Sequence, residues 1–193
     1  MQDYHKYRWF YTSSGKLVVG GKSSVQNDDL LKKLKRTKED HVVMHTSTPG
    51  SPFTIILSDK EKVTKKDIEE TAIFTGCFSR AWRARKKKAQ VDIFSLSQLY
   101  KLRTMKIGTW GVKGEIKRKS VELELVLTIQ DKTLRAVPEA TVNKKKDLLL
   151  KVKPGKIDKR EMLIKLHTLL PDKFSQEEIL QALPAGGIAI ARK

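Results

Sequence analysis

Lys22 has the surroundings most suggestive of ligand chemistry, with Gly20-Gly21 on one side and the helix-capping hydroxyls of Ser23-Ser24 on the other. Backbone amides at a helix start, with a lysine beside them, suit a phosphate. A nucleotide-hydrolysing phosphate loop needs glycine, four residues, then Gly-Lys-Ser/Thr. Counting back from Gly21-Lys22-Ser23 puts Lys16 where that glycine must stand, and Gly15 lies one residue too far. Phosphate contact therefore survives as a reading and hydrolysis does not. His41 and His45 suggest a metal pair, but in a strand residues four apart are separated by about 13 Å, too far for one ion. Cys77 has no histidine in local register to activate it and reads as a small buried hydrophobe. No triad, dyad or cofactor signature is present, so the expectation is a non-enzyme without catalytic residues, metal or cofactor. Gln26, Asn27 and His45 would make a catalytic site only if they met in one cleft.

The densest charge lies further on: Arg80, Arg83, Arg85, Lys86, Lys87 and Lys88 fall within one nine-residue stretch. Cations at a helix end are worth about 0.3–1 kcal/mol each at low salt. Six of them repel one another, and a phosphate backbone relieves that repulsion. The whole chain repeats the pattern, with 40 lysines and arginines against 22 acidic residues and a net charge of +18. Such an excess points to a polyanionic partner, nucleic acid ahead of acidic lipid. Charge alone leaves RNA and DNA both open. At 193 residues with a single cysteine, the chain can bury a core without disulfides, which suits a reducing cytosol. No stretch approaches the roughly 18 apolar residues of a membrane span and no signal pattern opens the chain, so a cytoplasmic protein is expected.

These residues need elements to hold them. Tyr7–Tyr11, a Ser13-Ser14-Gly15 turn and Leu17-Val18-Val19 predict a hairpin. Ser23 or Ser24 then caps a helix with Val25, Leu30, Leu31 and Leu34 inward and Asn27, Asp28 and the lysines outward. Residues 41–45 and 53–57 read as strands around an exposed Pro49-Gly50 loop. Thr64 to Lys88 is the longest helical pattern, capped by Thr64 with Asp67; Gly76 within it implies a close approach. Strands follow at 90–96, 121–129 and 133–137, with glycines at 108, 111 and 114 marking strand edges. Trp110 among them serves either as a base-stacking surface or as a packing plug. From Lys144 a basic connector leads through Leu148–Leu150, which can add a strand, to two short helices. Asp158 caps the first and Ser175 the second, with Pro171-Asp172 joining them and Pro184 and Gly186-Gly187 stopping the second.

Several of these residues carry a family resemblance. Tyr4-His5-Lys6-Tyr7-Arg8-Trp9-Phe10, the Ser14-Gly15 turn, Leu17 to Lys22, Gln26-Asn27, Phe78-Ser79-Arg80-Ala81-Trp82 and Gly108 to Gly114 resemble the NFACT-R domain, the RNA-binding part of NFACT proteins. The matches span roughly residues 4 to 137. Two positions depart from the pattern: Ser23 and Ser24 stand where the family usually has an aspartate, and its His-x-Asp-x-His-Gly loop is reduced to Met44–Gly50. The resemblance implies RNA as ligand, ribosomal or transfer RNA, with the large ribosomal subunit as partner, in translation or ribosome quality control.

The expected fold is α+β: a mainly antiparallel sheet of six to eight strands with two packed helices over residues 1–140, then a connector and helical appendage over 141–193. The expected nucleic-acid contacts are Lys22, Arg80, Arg83, Arg85, Lys86, Lys87, Lys113 and Lys117 to phosphates, with His45 and Trp110 beyond phosphate. An RNA-modifying activity, or non-specific binding to DNA, is the alternative.

Overall fold

A computed structural model describes residues 1, 3–171 and 174–191 and has the expected α+β architecture. The predicted hairpin is β1 (Arg8–Tyr11) paired antiparallel with β2 (Leu17–Gly20), Trp9 opposite Val19 and Phe10 opposite Val18. There follow α1 (Ser24–Lys35), β3 (Val42–Thr46), β4 (Thr54–Ile56), α2 (Lys65–Cys77), α3 (Arg80–Arg83) and β5 (Lys88–Ser95). A short ribbon of β6 (Leu99–Tyr100) and β7 (Gly111–Val112) precedes β8 (Lys117–Glu122). The first sheet has the order β1-β2-β4-β3-β5-β8.

Both faces of this sheet are covered. Trp9, Val19, Val43, Ile55 and Phe94 pack with Leu30, Leu31 and Leu34 of α1, while their neighbours Phe10, Val18, Met44 and Ile56 pack with Ala72, Phe74 and Cys77 of α2. That two-residue alternation puts successive side chains on opposite faces. Cys77 is a fully buried hydrophobe, as expected, and burial pushes its thiol well up. Gly76 is tightly packed; a Cβ there would lie 3.0 Å from Val121 Cγ2 and 3.1 Å from Leu123 Cδ2.

The second sheet, order β10-β9-β11-β12, contains β9 (Leu125–Gln130), β10 (Thr133–Val137), β11 (Leu150–Asp158) and β12 (Gly187–Ala191). It changes the expected domain division. β9 pairs with β10 on one side and β11 on the other, so strands from both sides of residue 140 form one sheet. The helices α4 (Leu163–Leu169) and α5 (Gln176–Ala182) place Leu166, Ile179 and Leu183 in the cluster that also holds α2 and both sheets. The expected appendage is therefore part of the core.

Four other expectations change. The strand predicted over 121–129 is two strands: at Leu123 and Glu124 the chain leaves the first sheet and enters the second, with Leu123 N donating to Lys87 O at 2.8 Å. The long helix stops at Cys77, Ser79 starts α3 by accepting from Ala81 N, and Arg85 takes φ +56°, ending helical structure eight residues after Cys77. Asp158 closes β11 and caps no helix, though its carboxylate accepts from Arg160 N. The helix α5 stops at Ala182, ahead of Pro184 and the glycine pair as expected, but Gly187 then starts β12, a strand that was not expected. Asp172, assigned to the helix junction, lies outside the described residues.

The exposed edge of β1 is closed by side chains from the second sheet. Tyr11 N donates to Gln130 Oε1 at 2.8 Å, Gln130 Nε2 donates to Tyr11 O at 2.9 Å, and Arg135 donates through Nε and Nη2 to Trp9 O at 3.0 and 2.8 Å. An open strand edge invites pairing with other chains, and these contacts remove it. Among the described residues no helix is long and apolar enough to cross a membrane.

Candidate nucleic-acid interface

Four connections meet beside the first sheet and enclose a groove of about 690 Å³. They are the β2–α1 turn at Gly21–Ser24, the β3–β4 loop from His45 to Phe53, the α2–α3 junction from Phe78 to Arg83, and the segment Ile107–Trp110. Ser23 caps α1 by accepting from Gln26 N, which fixes Lys22 at the groove edge. Gly50 has φ +109° and its carbonyl accepts from Arg80 N at 2.9 Å. A Cβ on Gly50 would strike the Arg80 side chain at 2.4 Å, so the glycine leaves room for that arginine.

Of the residues expected to bind nucleic acid, Lys22, His45, Arg80, Arg83 and Trp110 line this groove. Arg85, Lys86 and Lys87 do not; they lie exposed in the turn between α3 and β5. Lys113 stands over the Tyr100 ring at 5.1 Å, and Lys117 begins β8, each next in sequence to a lining residue, Val112 or Ile116.

Arg8 also lines the groove and was not among the expected contacts. Its guanidinium stands 4.9 Å from the centre of Phe78, and among the described residues it has no hydrogen-bond or ion-pair partner. Burial pushes it below its ordinary pKa. Its charge reaches three further cations. Lys22 is pushed down by burial, then by Arg135 and Arg8; Arg135 is pushed to about 10 by burial and then Arg8. Lys159, which donates to Leu180 O and Leu183 O at the end of α5, is pushed to about 8 by burial and then Arg8. One signal pointed to Arg8: it shares its strand face with Phe10, a core residue, so a cation there is drawn inward.

The carboxylate on the groove wall, Asp92, is already engaged. Arg118 donates to it through Nε at 2.6 Å and Nη2 at 3.3 Å, and Ser47 Oγ donates at 2.8 Å. The side chains of Lys22, Arg80 and Arg83, like that of Arg8, have no carboxylate within ion-pair distance among the described residues. An arrangement of cations without counter-charges, in a concave site, concentrates positive potential.

Asp28, expected to face water, is instead buried and organises one wall. Its Oδ1 accepts from Gly108 N at 2.9 Å, Trp110 Nε1 at 2.8 Å and Lys101 Nζ at 3.3 Å. Burial alone would raise its carboxyl pKa; the hydrogen bonds from Trp110, Lys101 and Gly108 outweigh burial and hold it below the usual value. Trp110 is thus both anchored to α1 and part of the groove wall. Asn27 is buried too, its Oδ1 accepting from Phe53 N at 3.2 Å. Asn27, Leu30, Leu31 and Leu34 form the inward stripe at helical spacing, which leaves Val25 54 % exposed, contrary to expectation.

His45 has Nδ1 2.7 Å from Thr46 O and packs against Phe53 with ring centres 4.5 Å apart and ring planes tilted by 33°. Burial pushes its pKa down, against the opposing effects of the Thr46 carbonyl and the Asp92 charge. Gln26 takes no part in the groove lining; its Oε1 accepts from Lys22 N at 2.9 Å and its Nε2 donates to Lys6 O at 3.4 Å. His41 is buried with Nδ1 2.9 Å from Ser58 O, and no metal-binding group of three or more His, Cys, Asp or Glu is found among the described residues.

Comparison with known proteins places this geometry. The chain is similar to the archaeal Rqc2 homolog aRqcH of Methanocaldococcus jannaschii, 28% identical over 204 residues covering 98% of this chain and 29% of that protein. It is also similar to the ribosome quality control complex subunit NEMF homolog of Drosophila melanogaster, 30% identical over 83 residues, 42% of this chain and 8% of that one. The chain thus spans under a third of the length of either relative. In fold it resembles the C-terminal part of the fibronectin/fibrinogen-binding protein from Streptococcus suis, with TM-score 0.53 and 22% identity, over 66% of this chain and 47% of that one. Residues 6–114, which include the four connections named above though not the lining residues Ile116 and Ala185, match the family described as the NFACT protein RNA binding domain, and the chain belongs to that family.

Proposed function

We propose that this chain is an RNA-binding module that engages ribosomal or transfer RNA on the large ribosomal subunit during ribosome quality control. The convergence of Arg8, Lys22, Arg80 and Arg83 on one groove, with no carboxylate among the described residues free to neutralise them, carries the reading. Phosphate oxygens supply the missing acceptors, and guanidinium groups bind them in pairs. The family match and the similarity to an Rqc2 homolog and to a ribosome quality control complex subunit support RNA and the ribosome as the setting. The module acts by binding, without a catalytic step of its own: of Gln26, Asn27 and His45 only the last two share the groove, and the Asn27 carbonyl is bonded to Phe53.

Neutralising about six phosphates makes affinity fall on the order of a thousandfold between 50 and 200 mM salt. A flat response sinks the electrostatic part of the proposal. Co-sedimentation with large ribosomal subunits at about 200 mM salt, with excess transfer RNA and duplex DNA as competitors, tests the partner. Retained binding supports a ribosomal target. Loss to duplex DNA reduces the interaction to charge alone, and loss to transfer RNA alone moves the target there.

A further inference from the structure

The groove carries two kinds of side chain, cationic and apolar. Arg8, Lys22, Arg80 and Arg83 come from β1, the β2–α1 turn and α3, whereas the segment from Ile107 to Ile116 contributes Ile107, Trp110, Val112 and Ile116. Ile107 is 65 % exposed and Ile116 38 %, an unusual placement for isoleucines beside a charged site. Trp110 cannot turn away, because its Nε1 is held by Asp28 and Lys101 stands 5.7 Å from its ring centre.

A duplex does not match this pattern. It presents phosphates outward and keeps its base faces stacked inside, so apolar side chains in a concave site gain nothing from it. An unstacked nucleotide presents both a negative end and an apolar face. A groove of about 690 Å³ is within the ordinary range for a site that encloses a small ligand. Resting on the RNA-binding reading above, we infer that the groove takes one unpaired nucleotide of an RNA strand, its base against Trp110, Ile107 and Ile116 and its phosphate on Arg8 with Lys22 and Arg83. The preferred RNA is then single-stranded, a loop or an extruded base, and helical RNA is held only by the outlying lysines.

The test compares the full chain's affinity for a short single-stranded RNA carrying a central 2-aminopurine with its affinity for a fully paired RNA hairpin of equal phosphate number, at about 150 mM salt. The single strand is expected to bind at least tenfold more tightly, with a change in 2-aminopurine emission as the base stacks. Trp110→Ala is expected to weaken the single strand by about 5- to 150-fold and leave the hairpin unchanged. Because Trp110 also anchors its segment to α1, Ile107→Asp is the companion variant: its side chain is largely in water, and a carboxylate there repels the ligand without removing a core contact. Arg8→Met is expected to weaken the single strand and lower its salt slope by about 0.7. Equal affinity for strand and hairpin, with both indifferent to Ile107→Asp, overturns this inference and leaves RNA binding intact. Failure to bind either RNA overturns both.

Discussion

Arg8→Met is expected to make the free protein more stable and its RNA complex weaker. The guanidinium is half-buried and unpaired among the described residues, and its charge acts against Lys22, Arg135 and Lys159. Methionine keeps an unbranched stem against Phe78 while removing the charge. Relief of burial and of the three repulsions is worth on the order of 0.5–2 kcal/mol, the usual size of a gain at a functionally strained site. Loss of the contact with Phe78 returns about 0.5–1 kcal/mol. The balance is a gain of up to roughly 1.5 kcal/mol, which for a chain of this length raises Tm by at most about 3–6 °C. In the complex, the lost charge-assisted hydrogen bond to phosphate is worth about 1.5–3 kcal/mol, a 10- to 150-fold loss of affinity. Scanning calorimetry and RNA titration on the same preparation read the two effects. A Tm lowered by several degrees with RNA affinity unchanged would make Arg8 a structural residue and refute the reasoning.

Asp28→Ala strands the Trp110 indole, the Gly108 amide and the Lys101 ammonium together and is expected to cost about 2–4 kcal/mol in urea unfolding, with faster amide exchange over residues 101–110; a loss under about 0.5 kcal/mol would mean the segment is held otherwise. Asp67 is buried, and although burial raises its pKa, hydrogen bonds from Ser14, Thr12 and Thr64 prevail and hold it far below the usual carboxylate value. A depressed folded pKa gives stability that is present above about pH 3.9 and disappears as pH falls towards the folded value, so Asp67→Asn should flatten that acid limb; an unaltered limb would assign it to other carboxylates. Arg83→Glu in the groove is expected to reduce RNA affinity more than tenfold, whereas Lys87→Glu in the outer turn changes it only a few-fold. Equal losses would show that net charge, and not the groove, does the binding.

Local patterns were legible wherever a few neighbouring residues decide the structure. The Ser13-Ser14-Gly15 turn sets the first hairpin, Ser23 and Thr64 cap the two main helices as expected, and Thr64 with Asp67 forms a capping box. Lys22, His45, Arg80, Arg83 and Trp110 were singled out because basic and aromatic residues beside glycines and helix starts suit phosphate and base contact, and these five line one groove. The errors arose where distant segments compete. The run from Arg80 to Lys88 continues a helical pattern, but Ser79 restarts the helix and β5 draws Lys88 into pairing with Glu122. Alternation over 121–129 is genuine, yet the chain changes sheets at Leu123 because two sheets each bury part of it.

Composition and spacing by themselves determined a basic α+β domain with phosphate-seeking residues at its turns. Charge is a sum over residues, and caps and hairpins depend on contacts only a few positions apart. Tertiary structure alone decided which cations share one groove. Arg8 meets Arg83 there only because α2 carries Phe78 across the sheet, and Asp28 becomes buried only because residues 101–110 fold back on α1. Those contacts join residues 70 to 80 positions apart, a separation at which no local preference acts and packing of the two sheet faces governs the outcome.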